Sequence, residues 1–432
     1  MKMLDDSKVI KVKSKESADS KTVLKKDRNH PKLNRYIVDV QPSPTLMAAS
    51  RARELKKLGR DIVSFTVGEP DFDTPEHIKA AAVDAIKRGF TKYTAVEGIT
   101  ELKEAIVQKL KRDQNLEFKS SEIIVTNGGK HALAALFAVL LNEGDEVVVP
   151  APYWTSYPDI LALSGAKAKV VETDDELGYL MTPAQLIAAC NKKTKAIILN
   201  SPSNPTGAVY SRKELRALAD AFLSLPNKND ILIVSDEVYE YFTYDGVKSE
   251  SILQVAPELR PHVAIVNSLS KSYAMTGWRV GFAAGPRWLI DQMSIHQSQF
   301  TANICSIAQA AAQAAWDDKG EFPKEMLKEF SRRRELVIQA VKDMPGIRLP
   351  VAPWGGYYGF LRIDDLIGSH DGEFAVRSAK DFSAYLLERY DVATVAGEAF
   401  GDSAAVRISY ALSMEQLEKG LNRIKTAALK LQ

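Results

Sequence analysis

The chain has 432 residues, 45% apolar and 26% charged, enough for two or three domains or one large α/β domain with an appendage. A net charge of +2 excludes a nucleic-acid surface over the whole molecule, and no apolar run approaches membrane-spanning length. Two cysteines, Cys190 and Cys305, are too few for a disulfide framework and lack metal-ligand spacing, so they read as buried core thiols in a reducing, cytoplasmic setting.

Residues 1–30 are rich in Lys, Ser and Asp, and no aromatic precedes Tyr36. Such a stretch cannot bury enough surface to order itself and is expected to be a disordered basic tail. Its acidic residues Asp5, Asp6, Glu16 and Asp19 fit poorly with a transit peptide, and it has no apolar core for secretion. Residues 31–75 read as an N-terminal arm and part of a small domain. There Gln41-Pro42-Ser43-Pro44-Thr45 leads into a helix carrying Leu46, Ala49 and Leu58, followed by a strand at 62–67. Thr74 before Pro75 reads as a helix N-cap, and Thr100 as the cap of an amphipathic helix carrying Leu102, Ile106 and Leu110.

From 76 to 320 strands and helices alternate, the expected large domain. Strand cores fall at 123–125, 147–149, 169–171, 196–199, 231–234, 263–266 and 280–284. Helices start at Thr182-Pro183 and at Ser211, the latter with Glu214 in a capping box. Continuous apolar strands separated by helices predict an α/β fold with a mostly parallel seven-stranded sheet covered on both faces. Ligands on such sheets sit beyond the carboxyl ends of the strands. Helices follow at 303–316 and 323–342. Residues 321–432 read as a smaller α+β domain, with strands at 355–363 and 405–410, a helix at 379–390, and a last helix capped by Ser413 with Gln416. Arg332-Arg333-Arg334 reads as the solvated face of the long helix.

Candidate chemistry gathers at the strand ends. Lys271 follows the strand 263–266 and the hydroxyls of Ser268 and Ser270, and Arg279 stands eight residues further on. A lysine amine becomes nucleophilic when desolvation or nearby cations lower its pKa, whereas arginine offers a permanent planar fork for phosphate. A lysine for a carbonyl, with hydroxyls and arginine for a phosphate, is the set that pyridoxal phosphate needs. Taken alone, Lys271 is better explained as a solvated loop lysine. Gly128-Gly129-Lys130 places free backbone N–H groups at a helix N-terminus, a ready anion site. Trp154, just past a strand end, either stacks on a flat ring or is an ordinary half-buried aromatic. The two prolines and the glycine of 200–207 fix a tight bend at a strand end, open to a cis peptide, and present the amide of Asn204. Asp236 closes its strand shortly before Tyr239; it either caps a turn or keeps a pyridine nitrogen protonated. Arg407 interrupts an apolar strand, so it faces solvent at an edge or forks onto a carboxylate.

Taken in order, G-E-P-D-F-D-T-P at 68–75, G-G-K at 128–130, N-P-T-G at 204–207, S-D-E-x-Y at 235–239, S-x-S-K at 268–271 and A-M-T-G-W-R at 274–279 resemble one family. It is the class I pyridoxal-phosphate aminotransferases of fold type I, nearest to bacterial-type aspartate aminotransferases, and the likeness spans all but the tail. The resemblance implies that Lys271 holds the aldehyde of pyridoxal 5′-phosphate and shuttles the substrate Cα proton. Asp236 would pair with the ring nitrogen, Asn204 and Tyr239 with the ring oxygen, and Trp154 would stack on the ring. Gly129, Lys130, Ser268, Ser270 and Arg279 would hold the phosphate. Tyr93 would reach the phosphate of the neighbouring subunit, giving a homodimer with shared active sites.

For the substrate, Arg407 with Gly68 beside it would take the α-carboxylate and Lys130 the distal carboxylate of aspartate or glutamate, with Trp154 and Asn204 lining the same space. The implied partners are amino acids and 2-oxo acids, with no metal, nucleic acid or membrane. The expected reaction moves an amino group between L-aspartate and 2-oxoglutarate, giving oxaloacetate and L-glutamate. One departure bears on this. Relatives read P-S-x-T and then small and β-branched residues, whereas Pro44 and Leu46-Met47 stand at that entrance here. Prephenate as acceptor, or a broader range of donors, therefore stays open. A C–S lyase or an aminocyclopropane-carboxylate synthase would use the same lysine and arginine scaffold. A transcriptional regulator with such a domain would need a helix-turn-helix module ahead of it, for which the tail is too short and too polar.

Overall fold

Seven strands build the central sheet of the structure, a computed structural model that describes residues 33–38 and 40–431. The tail expected at 1–30 lies outside the described residues. Helix α1 (Pro44–Lys57) is the first helix among the described residues. The sheet then takes β1 (Ile123–Thr126), β2 (Glu146–Ala151), β3 (Lys167–Glu172), β4 (Thr194–Asn200), β5 (Leu232–Asp236), β6 (Val263–Ser268) and β7 (Gly281–Ala284). Their spatial order is β3-β2-β4-β5-β6-β7-β1, and only β7 runs antiparallel to its neighbours.

The two-residue period of a strand sorts its side chains onto opposite faces. Val148, Ile197, Ile233 and Ile265 join one apolar layer, and Val147, Ile198, Val234 and Val266 join the other. Burial on both faces explains the continuous apolar runs in sequence. Edge strand β3 is the exception, with Lys167 and Glu172 exposed.

This topology sets several segments at one edge. Strands β4, β5 and β6 end side by side, with Asn200 opposite Asp236 and Asp236 opposite Val266. Because β7 is reversed, its first residue Gly281 pairs with Ser268, which brings Arg279 to the same edge. Helix α2 (Gly129–Leu140) starts there too, directly after β1.

Beyond β7 the chain forms α3 (Arg287–Phe300), α4 (Ser306–Asp317) and α5 (Glu321–Lys342). A three-stranded antiparallel sheet follows, built from β8 (Tyr358–Arg362), β9 (Val395–Ala396) and β10 (Ala405–Ser409) in the order β9-β10-β8. It is flanked by α6 (Ala379–Tyr390) and α7 (Met414–Lys430). Val63–Ser64 pairs with Val392–Ala393, so the arm before residue 75 is stitched to the C-terminal part. A second apolar cluster gathers Val63 and Phe65 with residues from Met326 onward, and also takes Tyr239, Phe242 and Tyr244. This packing supports the division near residues 75 and 320, which we retain as a proposal. No helix among the described residues is long and apolar enough to cross a membrane.

The caps at Thr182, Ser211 and Ser413 form as expected. Thr74 does not cap. Its hydroxyl donates to the Ala274 carbonyl at 2.8 Å and accepts from Trp278 Nε1 at 3.0 Å, so long-range bonds displace the local one. Thr100 is the first helical residue and Ile99 holds the cap position. Helix α3, absent from the sequence reading, lies against α2 and β1. Cys190 is half-buried and Cys305 exposed, because both sit at helix ends instead of on buried faces.

The arginine triplet departs furthest from expectation. Successive helical residues are turned by about 100°, so three in a row cannot share one face. Arg332 is solvated, whereas Arg333 and Arg334 are each only 5% exposed. Arg333 forks onto Asp71 at 2.6 and 2.9 Å, and Arg334 donates to the Pro353 carbonyl at 2.6 Å. We predict that Arg333→Ala lowers stability by about 2 kcal/mol, read as a lower melting temperature, since it strands a partly buried carboxylate. Arg332→Ala should stay within about 0.5 kcal/mol. Equal effects would contradict this account of the helix.

Candidate active site

A cavity of about 620 Å³ opens at the carboxyl edge of the central sheet, roofed by β8, β10 and the arm around Gly68. Every site residue expected from sequence lines it except Tyr93. Tyr93 is 91% exposed on the protein surface.

Lys271 sits just past β6, where the chain turns into a four-residue helix. Its Nζ donates to the Gly68 carbonyl at 2.6 Å, and Tyr357 Oη donates to the same oxygen at 3.0 Å. Burial brings the Lys271 amine down to about 8; Glu69 opposes the shift, and Arg407, Arg279 and Lys130 add to it. A lysine in this state has a free lone pair on an appreciable fraction of molecules at neutral pH.

Asp236 ends β5 with almost no exposure. Burial raises its carboxyl to about 6, while a hydrogen bond from Tyr157 Oη at 2.7 Å, the Val238 amide and Lys271 restrain the shift. Asn200 braces the same turn, its Nδ2 donating to the Asp236 carbonyl at 3.1 Å and its Oδ1 accepting from the Asn204 amide at 3.0 Å. The bend at 200–207 contains cis bonds before Pro202 and Pro205, and a third precedes Pro152.

Arg407 enters from β10 and is 2% exposed. Nη1 donates to Asn204 Oδ1 at 3.0 Å and Nη2 to the Thr66 carbonyl at 2.6 Å, while Nε has no partner among the described residues. The guanidinium lies between the rings of Tyr358 and Phe400, 4.6 and 5.0 Å from their centres. No carboxylate pairs with it among the described residues. A buried cation without a counter-ion is costly unless a ligand supplies the anion.

The other end of the cavity is built for an anion. Gly128 adopts φ +84°, and a β-carbon there would lie 2.7 Å from Arg279 Nη2, so glycine lets the guanidinium lie against the turn. Arg279 donates to the carbonyls of Thr276 and Asn127 at 2.8 and 3.2 Å. The first N–H groups of α2 and the side chains of Ser268 and Ser270 line the same end. Lys130 lies 5.0 Å from the centre of the Trp154 ring, and its ammonium is lowered by burial and by Arg279, with Asp159 opposing.

Two contributors were invisible in sequence. Tyr157 supplies the hydrogen bond to Asp236, and Tyr358 shares a 2.8 Å hydroxyl contact with Tyr239 while stacking on Arg407. Tyr358 also explains Gly68, where any β-carbon would overlap its hydroxyl. Tyr157 lies three residues beyond Trp154 at a strand exit, the one local hint available. At the mouth of the cavity stand Ser43, Thr45 and Leu46 from the flagged entrance stretch, but neither Pro44 nor Met47.

The chain matches the family described as Aminotransferase class I and II over residues 60–424. It is 44% identical to an aspartate aminotransferase of Bacillus subtilis over 394 residues, 91% of this chain and 98% of the relative. A probable aspartate/prephenate aminotransferase of Rickettsia bellii is 43% identical over 392 residues, 90% of this chain and 96% of the relative. Among solved structures, the aspartate aminotransferase from Rhizobium meliloti superposes with a TM-score of 0.89 at 40% identity, covering 93% of this chain and all of that one.

The environment of Lys271 gives a direct prediction. With the chain stripped of bound carbonyl compounds, acylation of Lys271 followed by peptide mass spectrometry should titrate with a midpoint of about 8. Surface lysines should titrate near their ordinary value of about 10.4. A midpoint for Lys271 matching the surface residues would overturn the assignment of a desolvated amine.

Proposed function

The chain belongs to the class I and II aminotransferase family, and we propose that it exchanges an amino group between L-aspartate and 2-oxoglutarate, giving oxaloacetate and L-glutamate. One observation carries the reading. The buried guanidinium of Arg407, unpaired with any carboxylate among the described residues, shares a cavity with the low-pKa amine of Lys271. An α-amino acid brings a carboxylate for the first and a reacting carbon for the second.

The donor set also fits pyridoxal 5′-phosphate. The glycine-lined turn against Arg279 suits its phosphate at one end, and the buried Asp236 carboxylate its ring at the other. When bound, this cofactor supplies a carbonyl for the amino group and a ring that withdraws electrons. Asp236 would hold a proton on the ring nitrogen, oriented by Tyr157. Asn204 has an amide NH2 without a partner among the described residues, and with the Tyr239 hydroxyl it would donate to the ring oxygen. Gly129 and Lys130 backbone N–H groups, Ser268, Ser270 and Arg279 would hold the phosphate, and Trp154 would cover the ring.

Lys271 would act as the base and acid at the substrate Cα, a task suited to an amine poised near the working pH. Arg407 would grip the α-carboxylate beside Gly68, and Lys130 the distal carboxylate. Partners are amino acids and 2-oxo acids, in a cytoplasmic homodimer whose Tyr93 serves the neighbouring site. A second reading adds prephenate as acceptor. Leu46 and Val67, both lining the mouth and exposed at 63% and 37%, favour it by offering apolar contact.

Kinetics on a panel of donors tests the proposal. Aspartate and glutamate should exceed alanine and phenylalanine in kcat/KM by about 10², because a site built around a cation rejects a ligand that leaves it unpaired. Lys130→Ala should erode that ratio by lowering the acidic donors alone, whereas Arg407→Ala should lower all donors alike. If phenylalanine outperforms aspartate the acidic-substrate reading fails, and if prephenate outperforms 2-oxoglutarate the second reading replaces the first. Lys271→Ala should retain cofactor binding and lose turnover by several orders of magnitude; near-normal turnover would overturn the role of this lysine.

A further inference from the structure

The loop at residues 91–98 combines two properties that seldom occur together. With its flanking residues it is held at five points, four on the backbone and one on the Thr94 side chain, yet its largest side chain forms no hydrogen bond among the described residues. Ser306 Oγ donates to the Phe90 carbonyl at 2.8 Å. Gln309, from α4, donates through Nε2 to Thr94 Oγ1 at 3.0 Å and accepts the Ile99 amide on Oε1 at 2.8 Å. Gln297, from α3, donates to the Val96 carbonyl at 2.7 Å and to the Val125 carbonyl of β1 at 3.0 Å. The Val125 amide in turn donates to the Glu97 carbonyl at 2.9 Å.

Both glutamines are completely buried, and Gln297 keeps its Oε1 without a partner among the described residues. Long polar side chains are seldom buried whole, and an unsatisfied amide oxygen opposes burial further. General core packing would be served better by leucine at either position. Gln309 Nε2 also donates to the Ile304 carbonyl at 3.1 Å, between α3 and α4, and the remaining amide bonds tie one surface loop to the helices and β1, which leucine could not do.

Tyr93 is the residue that this shape serves. It is 91% exposed and forms no hydrogen bond among the described residues. A side chain fully in solvent gives its own loop no reason to be rigid. A loop held in one conformation loses less entropy when its exposed residue enters a contact elsewhere.

We propose that Gln297 and Gln309 are positioning residues that pre-shape the 91–98 loop so that Tyr93 enters the phosphate end of a second chain's site already ordered. The inference rests on the reading in which Tyr93 serves a neighbouring subunit. It adds that the precision of that contact is set from within the donating chain, by α3 and α4.

A double-mutant cycle tests it, with the dissociation constant of pyridoxal 5′-phosphate for the full-length, cofactor-stripped dimer as readout, followed by tryptophan fluorescence. Gln309→Leu should weaken binding about tenfold in the wild-type background, through lost pre-organisation. In a Tyr93→Phe background, itself weakened, the same change should add less than about twofold, because the hydroxyl it positions is gone. The same factor in both backgrounds would overturn the proposal, since Gln309 would then act through packing alone. Should Tyr93→Phe bind the cofactor as tightly as wild type, the cross-subunit reading itself falls, and the inference with it. Thr94→Val removes the loop's side-chain anchor without opening the core, and it repeats the cycle if Gln309→Leu does not fold. Coupling to Tyr93→Phe is again the expected result, and simple additivity the overturning one.

Discussion

Asp236 and Arg407 face one cavity as buried groups of opposite charge, and they do not pair. Direct contact would relieve much of the desolvation on both sides. Instead Tyr157 occupies one side of the carboxylate, and Asn204 and the Thr66 carbonyl occupy the guanidinium. Neutral donors and acceptors of this kind stabilise each charge without cancelling it. Each charge is thereby left available to a ligand group of the opposite sign.

Holding unpaired charges in place demands a stiff surround, and much of the polar interior supplies it. Beneath the ends of β5 and β6 lies a buried network. Lys109 Nζ donates to Glu240 at 2.6 Å, Asn267 joins Glu240 at 2.7 Å, and Gln114 bridges Glu237 and Glu240 at 2.6 and 3.1 Å. Glu237 adjoins Asp236, and Asn267 adjoins Ser268, whose amide it accepts at 2.7 Å. Burial raises the Glu240 carboxyl, and the Lys109 ammonium opposes that shift. A buried ion pair adds little net stability in general, but its geometry is demanding. Here that geometry bears on the two strand ends that carry the site.

The cavity also depends on two sheets meeting. Asp236 ends a strand of the central sheet and Lys271 follows directly after another, whereas Arg407 and Tyr358 come from the three-stranded sheet and Gly68 from the arm. Arg333 ties the arm to α5 through Asp71, and Arg334 ties α5 to the Pro353 segment preceding β8. The distance between the lysine and the arginine is therefore set by this junction and not by either sheet alone.

Sequence by itself determined the seven strands, their mostly parallel arrangement and the edge on which chemistry would gather. Buried strands read as unbroken apolar runs, and the residue that ends each run is local information. Asp236, Ser268 and Lys271 were legible for this reason, and the ordered motifs carried the family. The same locality explains the failures. Whether Thr74 caps its own helix depends on Trp278, some two hundred residues away, and whether Arg333 is solvated depends on Asp71. Tyr157 and Tyr358 look like any core tyrosine until packing delivers their hydroxyls to Asp236 and Tyr239. Gln297 and Gln309 sit in ordinary helical stretches, and only the docking of α3 and α4 under the 91–98 loop brings their amides to it. Tertiary structure alone decided which distant partner each polar group meets, because a hydrogen bond is settled by where a side chain arrives and not by its neighbours in the chain.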